Sequence, residues 1–116
     1  MSKVYLTQTG SFHAVHSHGG TLAEPSHEHT FRYEATFYGA LNEEQFLIDF
    51  RQISRLLKEK VEAQLDGCDL SAFLPFPTTE ALAVWLYNRI KADLPQLCSI
   101  KVAEEADRWI EYRGEE

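Results

Sequence analysis

The feature that most constrains the fold is an alternation of apolar and polar side chains in residues 27–38. Successive side chains of a β-strand point to opposite faces, so residues two apart share a face. One face carries His27, His29, Phe31, Tyr33, Ala35 and Phe37, and the other carries Glu28, Thr30, Arg32, Glu34 and Thr36. The stretch therefore predicts a strand with one apolar and one polar face.

Two helices are predicted after this strand. Apolar residues recur at helical spacing from Phe50 onwards, with Asp49 as the N-cap and Gly67 ending the run. A second amphipathic stretch begins at Thr78, a typical N-cap, and Pro95 lies beyond its end.

Further strands are expected at both ends of the chain. Residues 3–16 alternate enough for a first strand, and residues 98–114 predict a hairpin that turns near residues 105–107. The resulting order is β-β-α-α-β-β. A four-stranded antiparallel sheet with two helices on its apolar face satisfies this order, which is an α+β architecture.

Length and composition exclude several classes of protein. A chain of 116 residues is of ordinary size for one domain, taken as residues 1–116. A net charge of −7 argues against a general nucleic-acid or anionic-membrane binder. No apolar run reaches the roughly 18 residues of a membrane span, and the first residues do not resemble a signal peptide. We therefore expect a cytoplasmic protein in which Cys68 and Cys98 are reduced thiols.

All five histidines of the chain lie between residues 13 and 29. Alternation places His16, His27 and His29 on the apolar side of the two predicted strands, whereas His13 points the opposite way. If these strands are neighbours, three imidazoles converge at one end of the sheet, and three histidines with an open fourth position are typical of catalytic Zn²⁺. His18 competes with His16 as a ligand, and a histidine-rich surface loop is the alternative interpretation.

Six short blocks of the sequence resemble, in order, the motifs of the 6-pyruvoyl-tetrahydropterin synthase family, which includes the 6-carboxy-tetrahydropterin synthases of queuosine biosynthesis. The blocks are FHAVH, HEHTF, FLIDF, LDGCDLS, FPTTEALA and IKVAEE. The resemblance implies the T-fold (tunnelling fold), with Zn²⁺ bound by His16, His27 and His29. It also implies a homohexamer, a dimer of trimers in which the sheets close into barrels.

The same resemblance assigns substrate contacts. Glu104 would grip the pterin, since a carboxylate can accept two parallel N–H bonds from an aminopyrimidine edge. Thr78 and Thr79 fall where the family contacts the pterin. The plainer interpretations are a solvated acidic turn around Glu104 and helix capping by the threonines. Zinc would hold the hydroxyl groups of the substrate side chain and ease their deprotonation.

The chain departs from the family pattern at its two proton carriers. Ala23 stands where the family has a cysteine base, and Gly67 stands where it has the histidine of an Asp-His pair, although Asp66 is retained. Glu24 is a candidate replacement, because EPSHEH resembles the E-x-x-H-G-H motif of a subgroup that uses a glutamate. An exposed acid in a proline-containing loop is the alternative for Glu24.

Three functions follow as hypotheses. The first is a zinc-dependent lyase of the 6-carboxy- or 6-pyruvoyl-tetrahydropterin synthase type, acting on 7,8-dihydroneopterin triphosphate. The second is a glutamate-based variant that releases 6-hydroxymethyl-dihydropterin. The third is a catalytically silent homologue that binds a pterin or purine.

Overall fold

Two long antiparallel strands form the centre of the protein. The computed structural model describes residues 1–18 and 24–116, and for residues 17–18 and 24–27 it describes the backbone alone. Strand β1 (Lys3–His18) pairs with β2 (Glu24–Ala40) in a register that places Phe12 opposite Phe31 and His16 opposite His27. Because directly opposed residues share a face, this register aligns the apolar side chains that the alternation predicts.

The helical layer follows β2. It comprises α1 (Phe50–Leu57), a π-helical turn (Lys58–Glu62), α2 (Ala63–Leu65), a 3₁₀ turn (Leu70–Ala72) and α3 (Thr79–Lys91). The Asp49 carboxylate accepts a hydrogen bond from the Arg51 amide at 2.8 Å, and the Thr78 hydroxyl accepts one from the Ala81 amide at 3.1 Å. Both predicted N-caps are thereby confirmed.

The C-terminal hairpin completes the sheet. Strands β4 (Leu97–Glu105) and β5 (Arg108–Tyr112) are antiparallel and are joined by a two-residue turn, as the sequence predicts. Together with β3 (Cys68–Asp69), they form a sheet of order β3-β1-β2-β4-β5. Apart from the short strand β3, the elements follow the predicted α+β order.

Within residues 1–18 and 24–116, the sheet has five strands in place of the predicted four. The additional strand β3 is two residues long and lies parallel to β1, opposite Ala14 and Val15. It exists because Gly67, at φ +77°, turns the chain back along β1 after α2. Two residues are too few to produce an alternation pattern, so this strand could not be predicted from the sequence.

The core lies between the helices and one face of the sheet. Phe31, Tyr33, Ala35 and Phe37 have no exposed surface, which confirms the face that the alternation assigns to the interior. They pack in one cluster with apolar residues of the helical layer, among them Ile53, Leu57, Val61, Leu82, Leu86 and Ile90. Within residues 1–18 and 24–116, no helix has the length and hydropathy needed to cross a bilayer.

Candidate metal and substrate site

His16 lies near the end of β1 on the buried face and is only 2% exposed. Its Nδ1 atom is 2.9 Å from the carbonyl oxygen of Pro77, in the loop that precedes α3. A carbonyl oxygen can only accept, so Nδ1 must carry the hydrogen and donate it. This contact fixes the ring orientation and leaves Nε2 as the atom that can bind a metal ion.

Glu104 brings a carboxylate to the same place from β4. Its Oε2 atom is 2.8 Å from Nε2 of His16 and 3.8 Å from Nε2 of His29. The Thr79 hydroxyl lies 3.5 Å from the same oxygen and can donate to it. Strand β4 is the neighbour of β2, and alternation along β4 places Glu104 on the face that carries Val102 and the core.

The three side chains form a group that could hold a metal ion. One ligand atom from each of His16, His29 and Glu104 lies within 4.8 Å of the other two. Because Nδ1 of His16 carries its hydrogen, a neutral ring would direct the Nε2 lone pair at a carboxylate oxygen. A metal ion bound by both atoms would remove that repulsion. Two imidazoles and a carboxylate are ligands that Zn²⁺ accepts in tetrahedral sites.

The aromatic surroundings hold the two imidazoles in place. The ring centroids of His16 and His29 are 5.3 Å apart at an interplanar angle of 71°, and Phe31 packs edge-on against both rings. His29 retains 20% exposure of its side chain. The site is therefore buried on the His16 side and open to solvent on the side of His29 and Glu104.

Of the other histidines, the structure describes the side chain of His13 but not those of His18 and His27. The backbone of His27 is paired directly with that of His16, but its side chain and that of His18 lie outside the described residues. His13 lies on the opposite face of β1, where its Nδ1 is 2.9 Å from the Thr30 hydroxyl. His13 is thus separated from His16 by the sheet, as the alternation predicts.

The structure describes only some of the proposed acid-base groups. The side chain of Glu24 and the whole of Ala23 lie outside the described residues; the backbone of Glu24 is paired with that of His18. The carboxylate of Asp66 accepts a hydrogen bond from the His13 amide at 2.8 Å. Thr78 caps α3, so its alternative role as a helix cap is realised, and its contact with a pterin stays a prediction.

Sequence reasoning missed two features of the site. One is the Pro77 carbonyl that orients His16, and the other is the direct contact of Glu104 with the histidines. A backbone carbonyl has no residue signature, and it lies 61 positions from the imidazole that it orients. The proximity of the FPTTEALA block to the histidines follows only from the packing of the α3 loop against the end of β1.

The fold and this site define a T-fold protein. The 6-pyruvoyl tetrahydropterin synthase of Caenorhabditis elegans superposes with a TM-score of 0.87 at 14% identity, covering 99% of this chain and 98% of that chain. A Plasmodium vivax 6-pyruvoyltetrahydropterin synthase, with a glutamate described as a catalytic residue replaced by alanine, gives a TM-score of 0.83 at 15% identity. That match covers 97% of this chain and 98% of the Plasmodium chain.

The chain belongs to the 6-pyruvoyl tetrahydropterin synthase family, whose family model matches residues 5–115. An Archaeoglobus fulgidus protein provisionally named a 6-carboxy-5,6,7,8-tetrahydropterin synthase is 29% identical over 89% of this chain and 90% of its own length. A Pyrococcus furiosus protein named dihydroneopterin monophosphate aldolase is 30% identical over 80% of each chain. The resemblance stated from the sequence is confirmed, and the protein has a pterin-synthase-like function.

Proposed function

We propose that this protein is a zinc-dependent lyase that acts on the side chain of a 7,8-dihydroneopterin phosphate. The observation that carries the proposal is the cluster of His16, His29 and Glu104, with Nδ1 of His16 held by the Pro77 carbonyl. His27, whose backbone is paired with that of His16, would complete a three-histidine set. Bound Zn²⁺ would supply electrostatic stabilisation to the hydroxyl groups of the substrate side chain.

Glu104 would anchor the pterin ring. Its 30% exposed side chain borders the open side of the site, where a flat ring can approach. With Zn²⁺ bound to the imidazoles, the carboxylate is available to accept two N–H bonds from the aminopyrimidine edge. The Thr79 hydroxyl next to Oε2 supports that orientation of the carboxylate. The ring would then lie beside the metal, with its side chain directed towards it.

Two reactions are candidates for this site. The first is the 6-carboxy- or 6-pyruvoyl-tetrahydropterin synthase reaction on 7,8-dihydroneopterin triphosphate, which the fold and the Archaeoglobus relative support. In the family that reaction relies on a cysteine and a histidine, and this chain has Ala23 and Gly67 at those positions. Positioned acid-base groups contribute about 10²- to 10⁴-fold to a rate, so their replacement disfavours the first reaction.

The second reaction is an aldol cleavage, and the sequence around Glu24 favours it. Glu24 lies three residues before His27, and the Pyrococcus relative is named an aldolase. Glu24 would take the proton from the 2′-hydroxyl of the side chain. The bond between carbons 1′ and 2′ would then break, releasing a two-carbon aldehyde. Protonation of carbon 1′ would complete 6-hydroxymethyl-7,8-dihydropterin.

Product analysis distinguishes these reactions. The zinc-loaded protein is incubated separately with 7,8-dihydroneopterin monophosphate and triphosphate, and the pterins and aldehydes are separated by chromatography. We expect 6-hydroxymethyl-7,8-dihydropterin with an equal amount of a two-carbon aldehyde. A 6-carboxy or 6-pyruvoyl product would establish the first reaction, whereas pterin binding without any product would identify a silent binder.

Substitution of Glu24 tests the base. Glu24→Gln should abolish turnover while zinc content and pterin binding persist, since only the proton acceptor is removed. Glu28→Gln is the matched control, because Glu28 is an exposed acid of the same strand on the face opposite His29. Unchanged turnover in Glu24→Gln would exclude Glu24 as the base.

A further inference from the structure

The segment from Asp66 to Asp69 is hydrogen-bonded to β1 just before His16, on the side of β1 that faces away from β2. Asp66 Oδ1 accepts a hydrogen bond from the His13 amide at 2.8 Å, and the Gly67 amide donates to the His13 carbonyl oxygen at 2.6 Å. Cys68 and Asp69 then pair in parallel with Ala14 and Val15. Both polar backbone groups of His13 are therefore bonded on the side of β1 that faces away from β2.

The position of His16 depends on this edge. The register between β1 and β2 shifts between His16 and His18, so regular pairing ends at His16. Its imidazole must nevertheless keep Nε2 at 2.8 Å from Glu104 and Nδ1 at 2.9 Å from Pro77. Metal-binding geometry tolerates displacements of only a few tenths of an ångström. We therefore expect the residues of β1 just before His16 to be held by contacts on the side of β1 that faces away from β2.

The backbone conformation at Gly67 favours glycine over the histidine of the family pattern. Gly67 adopts φ +77°, a conformation that other residues adopt only at a cost, and its amide reaches the His13 carbonyl in that conformation. A Cβ atom added at Gly67 has no heavy atom within 4 Å. A side chain at this position would begin in open space, and Asp66 has no histidine beside it in sequence to exchange a proton with.

We propose that Asp66 is a positioning residue, which locks β1 through the His13 amide and so holds His16 in its metal-binding orientation. This inference rests on the proposed zinc site. It replaces the proton-relay role that the family resemblance gives to Asp66. The carboxylate acts as a hydrogen-bond acceptor at a fixed position, and its acidity is not required.

Two substitutions separate the two roles. Asp66→Asn keeps an acceptor oxygen at the same position and removes the acid, whereas Asp66→Glu keeps the acid and displaces its oxygens by one methylene. Asp69→Glu is the matched control. Asp69 lies in the same segment, but its side chain caps the 3₁₀ turn by accepting hydrogen bonds from the amide and hydroxyl of Ser71.

The readouts are zinc affinity, measured by competition with a chelator, and hydrogen exchange of the His13 amide. Asp66→Glu should weaken zinc binding about tenfold, the lower end of what loss of a ligand-orienting partner costs, and should speed exchange at His13. Asp66→Asn should change neither by more than about twofold, and the Asp69→Glu control should leave both at wild-type values.

The outcomes distinguish this inference from the proposed function. Wild-type zinc affinity and His13 exchange in Asp66→Glu would overturn the positioning role. Loss of turnover in Asp66→Asn with zinc affinity intact would assign Asp66 to proton transfer and would also overturn it. A wild-type protein that binds no zinc would refute the proposed function, and normal His13 exchange in Asp66→Glu would then refute the strand lock as well.

Discussion

Replacing Gly10 with alanine should disrupt a polar contact inside the core. Gly10 and Tyr33 are directly opposed on β1 and β2, and Tyr33 is completely buried. The Tyr33 hydroxyl passes over Gly10 and donates a hydrogen bond of 2.7 Å to Oε2 of Glu62, in the π-helical turn. A Cβ at Gly10 would contact the hydroxyl and would lie 2.5 Å from both Glu62 Oε2 and Tyr33 Cζ.

The size of the effect follows from these contacts. Carbon atoms pack at about 3.5–4.0 Å, so the ring must move by about 1 Å or more in a close-packed interior. Overpacking costs about 1–3 kcal/mol, and loss of a hydrogen bond to a charged group costs about 1.5–3 kcal/mol. Alanine also raises the free energy of unfolding by about 0.5–1 kcal/mol, because it lowers the conformational entropy of the unfolded chain. We expect Gly10→Ala to lower the free energy of unfolding by about 2–5 kcal/mol.

A double-mutant cycle with Tyr33→Phe assigns the cost to the hydroxyl. Burial, and then the contact with Glu62, raise the pKa of the Tyr33 hydroxyl, so it keeps its proton under ordinary assay conditions. Denaturant unfolding at one protein concentration gives the free energies for the two single variants and the double variant. In the Tyr33→Phe background the alanine should cost less, with a coupling energy of about 1–3 kcal/mol.

The control is Gly39→Ala in the same pair of strands. A Cβ there would lie 2.9 Å from Cδ1 of Leu47, the end of a flexible side chain that can move aside. We expect a change of less than about 1 kcal/mol. Equal effects of Gly10→Ala and Gly39→Ala, or additivity in the cycle, would refute the placement of the Tyr33 hydroxyl over Gly10.

Three further predictions concern metal, acid and assembly. His16→Ala should abolish stoichiometric zinc binding, measured by metal analysis after dialysis, while His13→Ala on the opposite face should retain it; the reverse result would overturn the ligand assignment. The hydrogen bonds with Arg51 hold the pKa of Asp49 below its ordinary 3.8. The contribution of this cap is present above about pH 4 and is lost as the pH falls further, so Asp49→Asn should flatten the acid limb of the stability profile in that range, and an unchanged limb would exclude Asp49. In the sheet of the described residues, β3 pairs with β1 only at Ala14 and Val15, and β5 is the last strand on the other side. Such edges favour pairing with other chains, and the family resemblance implies a hexamer. Light scattering should therefore detect six chains per particle, and a stable monomer at micromolar concentration would contradict this prediction.

Short-range patterns in the sequence were sufficient for the fold class and for the faces of the strands. The alternation in residues 27–38 assigned Phe31 and Tyr33 to the core, and the N-caps Asp49 and Thr78 were identified from their own neighbourhoods. These features depend on residues close together in the chain, where backbone geometry alone relates sequence to direction. The six ordered blocks identified the family by their resemblance to its motifs, each of which is a short stretch of sequence.

Tertiary packing decided how the site is assembled. The sequence placed His16 on the buried face, but the Pro77 carbonyl that orients its ring belongs to a loop 61 residues away. Glu104 meets His16 because β4 pairs with β2 in a particular register, and Asp66 bonds the His13 backbone because Gly67 turns the chain back along β1. The sequence itself settled which side chains face the core and which residues cap the helices. The distances among His16, His29 and Glu104 were set by packing, because each depends on elements brought together only when the helical layer and the sheet close on one another.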